Sequence, residues 1–329
     1  MDYIESYSHD PQWNLALEQY VFDEMDRSRS YVMLWQNHNT IVVGKNQNTV
    51  NEVNSDYVRR HGITVVRRLS GGGAVYHDLG NLNFTFITDA DDSQRIDLHM
   101  FCIPIVETLR SFGVTAQISG RNDITVDGKK FSGNSQYVRE HRVMHHGTIL
   151  FDSDLSVVSE ALSVDRDKLT AKGIASVRSR VTNLRPYLPQ GTSLDDFKRR
   201  LLEYLSVESP VIPHPLTAED EKRIAEIRAE RYATWEWNYG CSPEYTDVRR
   251  RRFDGCGEIE VSLLVAKGTI RDIRFHGDFF GASDLSGLCG ALVGCPCRLE
   301  QVESRLEALP VAKYIYNITP RQLAELITR

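Results

Sequence analysis

Three consecutive glycines, Gly71, Gly72 and Gly73, separate two runs that otherwise read as strands, 63–67 and 74–76. Glycine buries no side chain and loses more chain entropy on ordering than any other residue, so a triplet is poor core material. It makes sense where the backbone must approach a ligand, with several N–H groups aimed at phosphate or carboxylate oxygens. Arg67 and Arg68, immediately upstream, can add charge-assisted, forked hydrogen bonds to the same anion. A plain hairpin loop is the competing reading, and Ser70 and His77 on either side tilt the balance toward function. The spacing matches neither a Walker loop nor G-x-G-x-x-G, so the usual NTPase and dinucleotide folds are not indicated.

Around this loop the pattern alternates between helix and strand. Asp10 and Pro11 suit an N-cap and first helical position, and Trp13, Ala16, Leu17, Tyr20 and Val21 follow on one helical face. Strand patterns cover 31–35, 40–43 and 81–87. Leu98, Phe101, Cys102, Ile105, Leu109 and Phe112 form a second amphipathic helix that stops at Gly113, with Cys102 on its core stripe. Further strands are predicted at 123–126, 130–137 and 143–151, with Asp127-Gly128 as the turn between the first two. Ser193 with Asp196, and Thr217 with Asp220, resemble capping boxes that open two more helices. After the Pro-containing link 210–215 comes a hairpin with one buried face, 259–265 and 273–275, and then two amphipathic helices. These patterns predict a mixed α+β chain with two domains, 1–244 and a smaller α+β domain over 245–329.

Three further blocks carry polar chemistry. Gly120-Arg121-Asn122-Asp123 precedes Lys129-Lys130-Phe131-Ser132-Gly133-Asn134-Ser135-Gln136. Two adjacent lysines on a strand point to opposite faces, so one of them can offer its ammonium to a buried anion. Asp123 could hold Mg²⁺, directly or through water, or pair with an arginine. His145-His146-Gly147-Thr148 interrupts an apolar strand. One of its histidines could line a pocket, or both could be satisfied locally. Residues 171–184 are basic, hydroxyl-rich and without clean periodicity, which suits a loop that closes over an anion or an ordinary surface loop.

Bulk properties exclude several classes. With 329 residues and 41% hydrophobic content there is enough apolar material for a core without disulfide staples. The net charge of −6 does not suit a nucleic-acid binder, and the short run Arg249 to Arg252 reads as a solvated strand edge. No stretch approaches the ~18 apolar residues of a membrane helix, and the start MDYIESYSHD lacks the pattern of a secretory leader. The six cysteines form no CxxC pair, so reduced cytoplasmic thiols are expected and a zinc site is not.

Taken together and in order, RRLSGGGAVYHDLGN (67–81), GRND (120–123), KKFSGNSQ (129–136), HHGT (145–148) and AKGIASVRSRVTNL (171–184) resemble the blocks of the lipoate–protein ligase A family. The stretches 34–37, 43–48 and 235–240 also resemble that family, strongly in the first domain and more loosely in the second. The resemblance implies a catalytic domain of the biotin/lipoate ligase type, with a mixed sheet and flanking helices, plus an accessory domain. It implies two half-reactions: lipoate and Mg-ATP give lipoyl-adenylate and diphosphate, and a lysine of a lipoyl domain then displaces AMP. Implied acceptors are acyltransferase subunits of 2-oxoacid dehydrogenases and the glycine-cleavage H protein.

Carried over by position, Lys130 would sit between carboxylate and α-phosphate. Arg68 and the backbone of Gly73, Ala74, Val75 and Tyr76 would hold the nucleotide, with Asp123 beside it. Trp35 would flank the adenylate, and His77 would lie near the acyl pocket. Residues 171–184 would close over the intermediate and keep water from the acyl-adenylate. No protein-only metal cage is expected, so Mg²⁺ would come with ATP. The alternative is an ATP-independent lipoyl or octanoyl transferase of the same fold, of which some use a cysteine nucleophile. Cys102, placed on a core stripe, does not suit that role.

Overall fold

The computed structural model describes residues 1–89, 98–120, 122–162, 180–207, 210–239, 247–266 and 268–328. Arg121, residues 171–179 of the basic loop, Cys241 and the expected domain boundary at 244/245 lie outside them.

The described chain forms two compact units. The first comprises residues 1–43, 49–68 and 74–238, and the second 44–48, 69–73 and 239–329. In the first, eight strands form a mixed sheet in the order β11-β1-β2-β6-β10-β9-β8-β7. These are β1 (Asp2–Glu5), β2 (Tyr31–Trp35), β6 (Asn81–Asp89), β7 (Ala116–Ser119), β8 (Asp123–Val126), β9 (Lys129–Arg139), β10 (Arg142–Leu150) and β11 (Ile212–Pro213). The first three strands of that order run parallel, and every later pair is antiparallel. Three short strands, β3 (Thr40–Val43), β4 (Thr64–Arg67) and β5 (Val75–His77), make a second sheet with β3 central.

The alternation of side chains splits the large sheet into two chemically different faces. Val32, Leu34, Leu82, Phe84 and Phe86 point to one face, where Cys102, Ile105 and Leu109 of the helix His99–Ser111 meet them along with Phe197 and Leu201 of the helix Leu194–Leu205. Each such side chain is worth ~1.5–3 kcal/mol on burial. The opposite face carries Trp35, Asn83, Thr85, His146 and Thr148, aligned by register: Trp35 faces Asn83, Thr85 faces His146 and Asn83 faces Thr148. The helix Pro11–Asp23 buries Asn14, Leu15, Ala16, Leu17, Glu18, Val21 and Phe22. Its buried surface is therefore broader than the stripe predicted from Trp13 and Tyr20, both of which are only partly covered. Glu18 goes inward because Thr85 and His146 on the sheet bond it, and Asn14 because Ser6, Ser8, Gln36 and Asn37, just past the ends of β1 and β2, bond it.

Local signals account for several boundaries. Both capping boxes form, Ser193 with Asp196 and Thr217 with Asp220. Asp127 and Gly128 take φ values of 49° and 73° between β8 and β9, the left-handed pair that a two-residue hairpin needs. A register shift in the β8–β9 pairing lets Lys130 and buried Phe131 take their places on β9.

In the second unit, β12 (Asp247–Phe253), β13 (Gly257–Ala266) and β14 (Thr269–Gly277) form an antiparallel sheet. Ile259, Val261, Leu263, Ile273 and Phe275 line its buried face. Four helical segments follow, Ser286–Leu292, Leu299–Glu307, Val311–Tyr314 and Pro320–Thr328, rather than the two expected. Gly294, Pro296 and Pro310 between the first three, and Pro320 at the start of the last, divide what periodicity alone runs together. Each arginine of the run on β12 has an acidic partner: Asp247, Glu260, Glu325 and Asp278 for Arg249 to Arg252 in turn.

Candidate active site

A buried carboxylate organises the polar face of the sheet. Glu18, 1% exposed, accepts from the Thr85 hydroxyl and from Nδ1 of His146 at 3.0 Å. Thr85 Oγ1 in turn accepts the indole N–H of Trp35 at 2.9 Å. Arg68, at the end of β4, is also buried and feels Glu18 electrostatically. Burial lowers its pKa to about 10, with Glu18 pulling the other way, so it stays charged at neutral pH. A buried ion among such partners is tolerable because each charge has a counter-charge or a hydrogen bond.

His77 sits at the end of β5, its ring centroid 6.2 Å from that of Trp35. Asn14 Nδ2 donates to Asn37 Oδ1, so Asn37 offers its own Nδ2 to His77 Nδ1. That order puts the imidazole proton on Nε2, and this atom is buried without a partner among the described residues. Burial, then Arg68 and His146, depress the His77 pKa to about 3, so the ring is neutral. The other histidine pair divides by strand geometry. His146 faces Glu18. His145 lies on the apolar face between Gln136 and Asn134, stacked on Phe101. Its pKa is held well below the usual histidine value by burial, with His146 adding to the effect.

Lys130 extends along the same face as Trp35 and Thr148. A Cβ at Gly133 would stand 2.9 Å from Lys130 Nζ and 3.0 Å from its Cε, and 3.9 Å from Thr148 Oγ1. Gly133 is therefore the gap through which the lysine reaches the face. Lys130 Nζ is 2.6 Å from Asp123 Oδ1, and both side chains remain about one-third exposed, at 34% and 35%. Asp123 thus pairs with a lysine rather than with the arginine that the sequence offered as an alternative partner. The Lys130 carbonyl accepts from Thr182 N at 2.8 Å, which anchors the described end of the basic loop to this strand. Lys129 is exposed.

The glycine-rich segment belongs to the second unit from Leu69 to Gly73, whereas Ala74, Val75 and Tyr76 belong to the first. Its glycines are required for different reasons. A Cβ on Gly71 would lie 2.5 Å from the Phe279 carbonyl oxygen, so packing demands glycine there. Gly72 has φ 92°. Gly73 is exposed, and a Cβ there would meet nothing within 4 Å. On β5, the Tyr76 hydroxyl donates to Asn39 Oδ1 and its ring points away from His77, which leaves its backbone as the part available to a ligand.

The two arginines ahead of the glycines have separate tasks. Arg67 Nε donates to the Trp237 carbonyl and Nη2 to Thr49 Oγ1, while Trp237 Nε1 donates back to the Arg67 carbonyl at 2.8 Å. Asn238 Oδ1 accepts from Arg67 N. Arg67 is thereby committed to residues 237–238, a use that the double-arginine pattern did not suggest. Cys102 is 1% exposed with Sγ against the Leu98 carbonyl, a core thiol. Glu18 is the functional candidate that sequence reading missed. The available signal was a carboxylate four residues after Asn14 on a helix face otherwise apolar.

Comparisons with known proteins agree over the whole length. The family model of the lipoyl protein ligase A/B catalytic domain matches residues 10–206. That of the bacterial lipoate protein ligase C-terminus matches residues 242–327. A lipoate-protein ligase of Bacillus subtilis (strain 168), LplJ, is 42% identical over 322 residues, covering 97% of each chain. Among solved structures, a bipartite lipoate protein ligase from Thermoplasma acidophilum, studied with its E2 lipoyl domain, aligns with TM-score 0.65 and 26% identity over 75% of this chain and 98% of that one. A lipoate-protein ligase A bound with ATP aligns with TM-score 0.62 and 26% identity over 72% and 96%. Fold and matches define an enzyme of the protein-modifying ligase class. The chain belongs to the lipoate–protein ligase family.

Proposed function

We propose that the chain condenses lipoate with ATP to lipoyl-AMP and diphosphate, then transfers the lipoyl group to a lysine of a lipoyl-domain protein. Membership of the family along the whole chain supports this, as do the relatives described with ATP and with a lipoyl domain. The observation that carries it at the level of residues is Lys130: a cation held by Asp123 on the polar sheet face, with Gly133 further along the same strand leaving it passage.

In the first step a lipoate carboxylate oxygen attacks the α-phosphorus, the new P–O bond forms and diphosphate leaves with the electron pair of the bond it held. Two anions must meet, and the Lys130 ammonium lowers that repulsion most where the negative charge is greatest. In the second step a neutral lysine amine attacks the acyl carbon, AMP leaves and the amine gives up a proton. Lys130 is the stabiliser here, not the acceptor. Arg68 and the backbone of Gly73, Ala74, Val75 and Tyr76 bind the nucleotide. Open space at Gly73 is in keeping with that role, since neither its packing nor its dihedral angles demand glycine. Trp35 flanks the adenylate and His77 borders the acyl pocket, its Nε2–H, which has no partner among the described residues, being a donor in need of an acceptor.

Among the described residues no three His, Cys, Asp or Glu side chains gather as a metal cage. Mg²⁺ carried on ATP needs only one or two carboxylates besides phosphate and water, and Asp123 fits that requirement. The ion would neutralise phosphate charge there. We assign residues 1–244 to catalysis and 245–329 to the accessory part. We place the reaction in the cytoplasm, the compartment that scattered cysteines without a CxxC pair suggest. Among the described residues no helix is long and apolar enough to cross a membrane.

The test is to incubate the protein with lipoate, Mg-ATP and an isolated lipoyl domain, and to weigh the domain by mass spectrometry. One added lipoyl group with stoichiometric AMP, abolished by omitting ATP, is expected. Lipoylation from a lipoylated donor protein without ATP would instead make the chain a transferase.

A further inference from the structure

Asn83 is buried, 1% exposed, at the centre of the polar sheet face. Its Oδ1 accepts from Asn81 Nδ2 at 2.9 Å. That bond fixes the plane of the amide and turns Nδ2 away from Asn81. Asn83 Nδ2 then has no partner among the described residues, and neither does Asn81 Oδ1. Turned over together, the two amides would keep the bond but leave Asn83 an unpaired Oδ1; in the orientation seen, the unpaired group of Asn83 is the donor Nδ2, because a single shared bond cannot satisfy two buried amides. Buried amides without partners are rare because burial forfeits their bonds to water.

The register says what such a group faces. Asn83 stands directly between Trp35 on β2 and Thr148 on β10, and directly opposed residues point to the same face. Thr148 Oγ1 accepts from Gly133 N at 3.2 Å, and Gly133 is the residue beside which Lys130 Nζ passes. The Trp35 indole N–H is already given to Thr85, so it does not compete for an acceptor near Asn83. Asn83 therefore lies about two strand spacings, on the order of 10 Å, from the strand that carries Lys130. Both side chains project on the same face, so a carboxyl group bound there would lie between them.

We propose that Asn83 Nδ2 binds the acyl oxygen of the substrate: the lipoate oxygen that does not attack phosphorus, and later the carbonyl oxygen of lipoyl-AMP. This rests on the reading of Lys130 given above. The oxygen keeps its acceptor character throughout. It is carboxylate in the first step, carbonyl in the adenylate, and oxyanion when the acceptor amine adds to the acyl carbon. It returns to a carbonyl as AMP departs with the electron pair of the acyl C–O bond. A fixed donor at that oxygen stabilises the tetrahedral intermediate most, so Asn83 should matter more for transfer than for binding. Removal of one oxyanion donor lowers rate by about 10²–10³-fold in comparable sites.

The experiment uses the full chain, supplied lipoyl-AMP and an isolated lipoyl domain, in single turnover. Asn83→Leu keeps the branched shape, with some added volume, and deletes the donor; Asn83→Ala, which deletes the donor without added bulk, is the second variant, in case leucine disturbs packing. Binding of lipoate and of the corresponding alcohol, which lacks the acyl oxygen, is measured alongside. Expected are transfer about 10²–10³-fold slower, a reduced preference for lipoate over the alcohol, and unchanged affinity for the alcohol. Wild-type transfer rates in both variants would overturn the role of Asn83, as would equal losses for acid and alcohol, which would make the residue structural. Failure of the wild-type chain to use lipoyl-AMP would instead overturn the underlying reading, and the two failures appear in different arms.

Discussion

Lys130 and Asp123 hold each other on adjacent strands, Nζ to Oδ1 at 2.6 Å, with both side chains about one-third open to solvent. An ion pair this exposed adds no more than ~1 kcal/mol to stability. Its significance is orientation, because Asp123 keeps a long, flexible cation on the sheet face beside Thr148 rather than in water. Lys130→Ala should therefore melt within a few degrees of wild type and yet lose on the order of 10²–10³-fold in lipoyl-adenylate formation. Asp123→Asn should show a smaller loss of the same kind. Calorimetry and quenched-flow assay of AMP-ester formation check both, and near-normal adenylation by Lys130→Ala would remove the lysine from the chemistry.

The glycine triplet offers a cleaner separation of packing from binding than its sequence suggests. Gly71→Ala forces a methyl group to within 2.5 Å of a carbonyl oxygen, and overpacking of that kind costs ~1–3 kcal/mol. Gly73→Val meets open space and should leave the melting temperature almost unchanged while weakening ATP binding. Titration calorimetry with ATP, beside thermal melts, distinguishes the two. Unchanged ATP affinity in Gly73→Val would take the loop out of the nucleotide site.

Arg67 and Arg68 are adjacent but should respond oppositely. Arg67→Lys abandons the forked bonds to Thr49, Trp237 and Asn238, and a lost bond to a charged group is worth ~1.5–3 kcal/mol. Its melting temperature should fall, with nucleotide affinity in the surviving folded protein close to normal. Arg68→Lys should reduce nucleotide affinity instead. A shared loss of affinity would mean that Arg67 also reaches the ligand.

His77 makes stability depend on pH in a defined window. Its folded pKa, about 3, lies below the unfolded value of 6.5, so the unfolded chain binds the extra proton and the folded one does not. The contribution is complete above about pH 6.5. It is lost as pH falls toward 3, by up to ~1.4 kcal/mol per pH unit for this one group. His145 acts in the same direction. Urea denaturation at pH 7 and pH 5 should show a drop in wild type that is smaller in His77→Gln. An equal drop in both would mean that His77 is protonated in the folded state.

Much of this architecture is legible from local pattern. The strand runs, the helix ending at Gly113, the Asp127-Gly128 turn and both capping boxes are short-range signals that tertiary packing leaves in place. The edge strands β7 and β11, and β1 next to β11, were not legible, since they are short and owe their conformation to neighbours distant in sequence. The same limit applies to the site. Lys130, His77 and Arg68 stand in distinctive blocks. Glu18 sits inside an ordinary helix, and its significance depends on Thr85, His146 and Arg68 converging on it from three other elements. Asn83 carries no motif at all and becomes notable only because its Nδ2 has no partner among the described residues. Equally, Arg67 looked like a ligand for anions because its true partners, Thr49, Trp237 and Asn238, are up to 171 residues away along the chain.

The most direct measurement is exchange of labelled diphosphate into ATP, with lipoate, octanoate and biotin as parallel acids and no acceptor protein present. Exchange that requires lipoate or its close analogue octanoate, ignores biotin and collapses in Lys130→Ala is the expected result. No exchange with any acid, alongside lipoyl transfer from supplied lipoyl-adenylate or from another lipoylated protein, would contradict the assignment of an ATP-dependent first step.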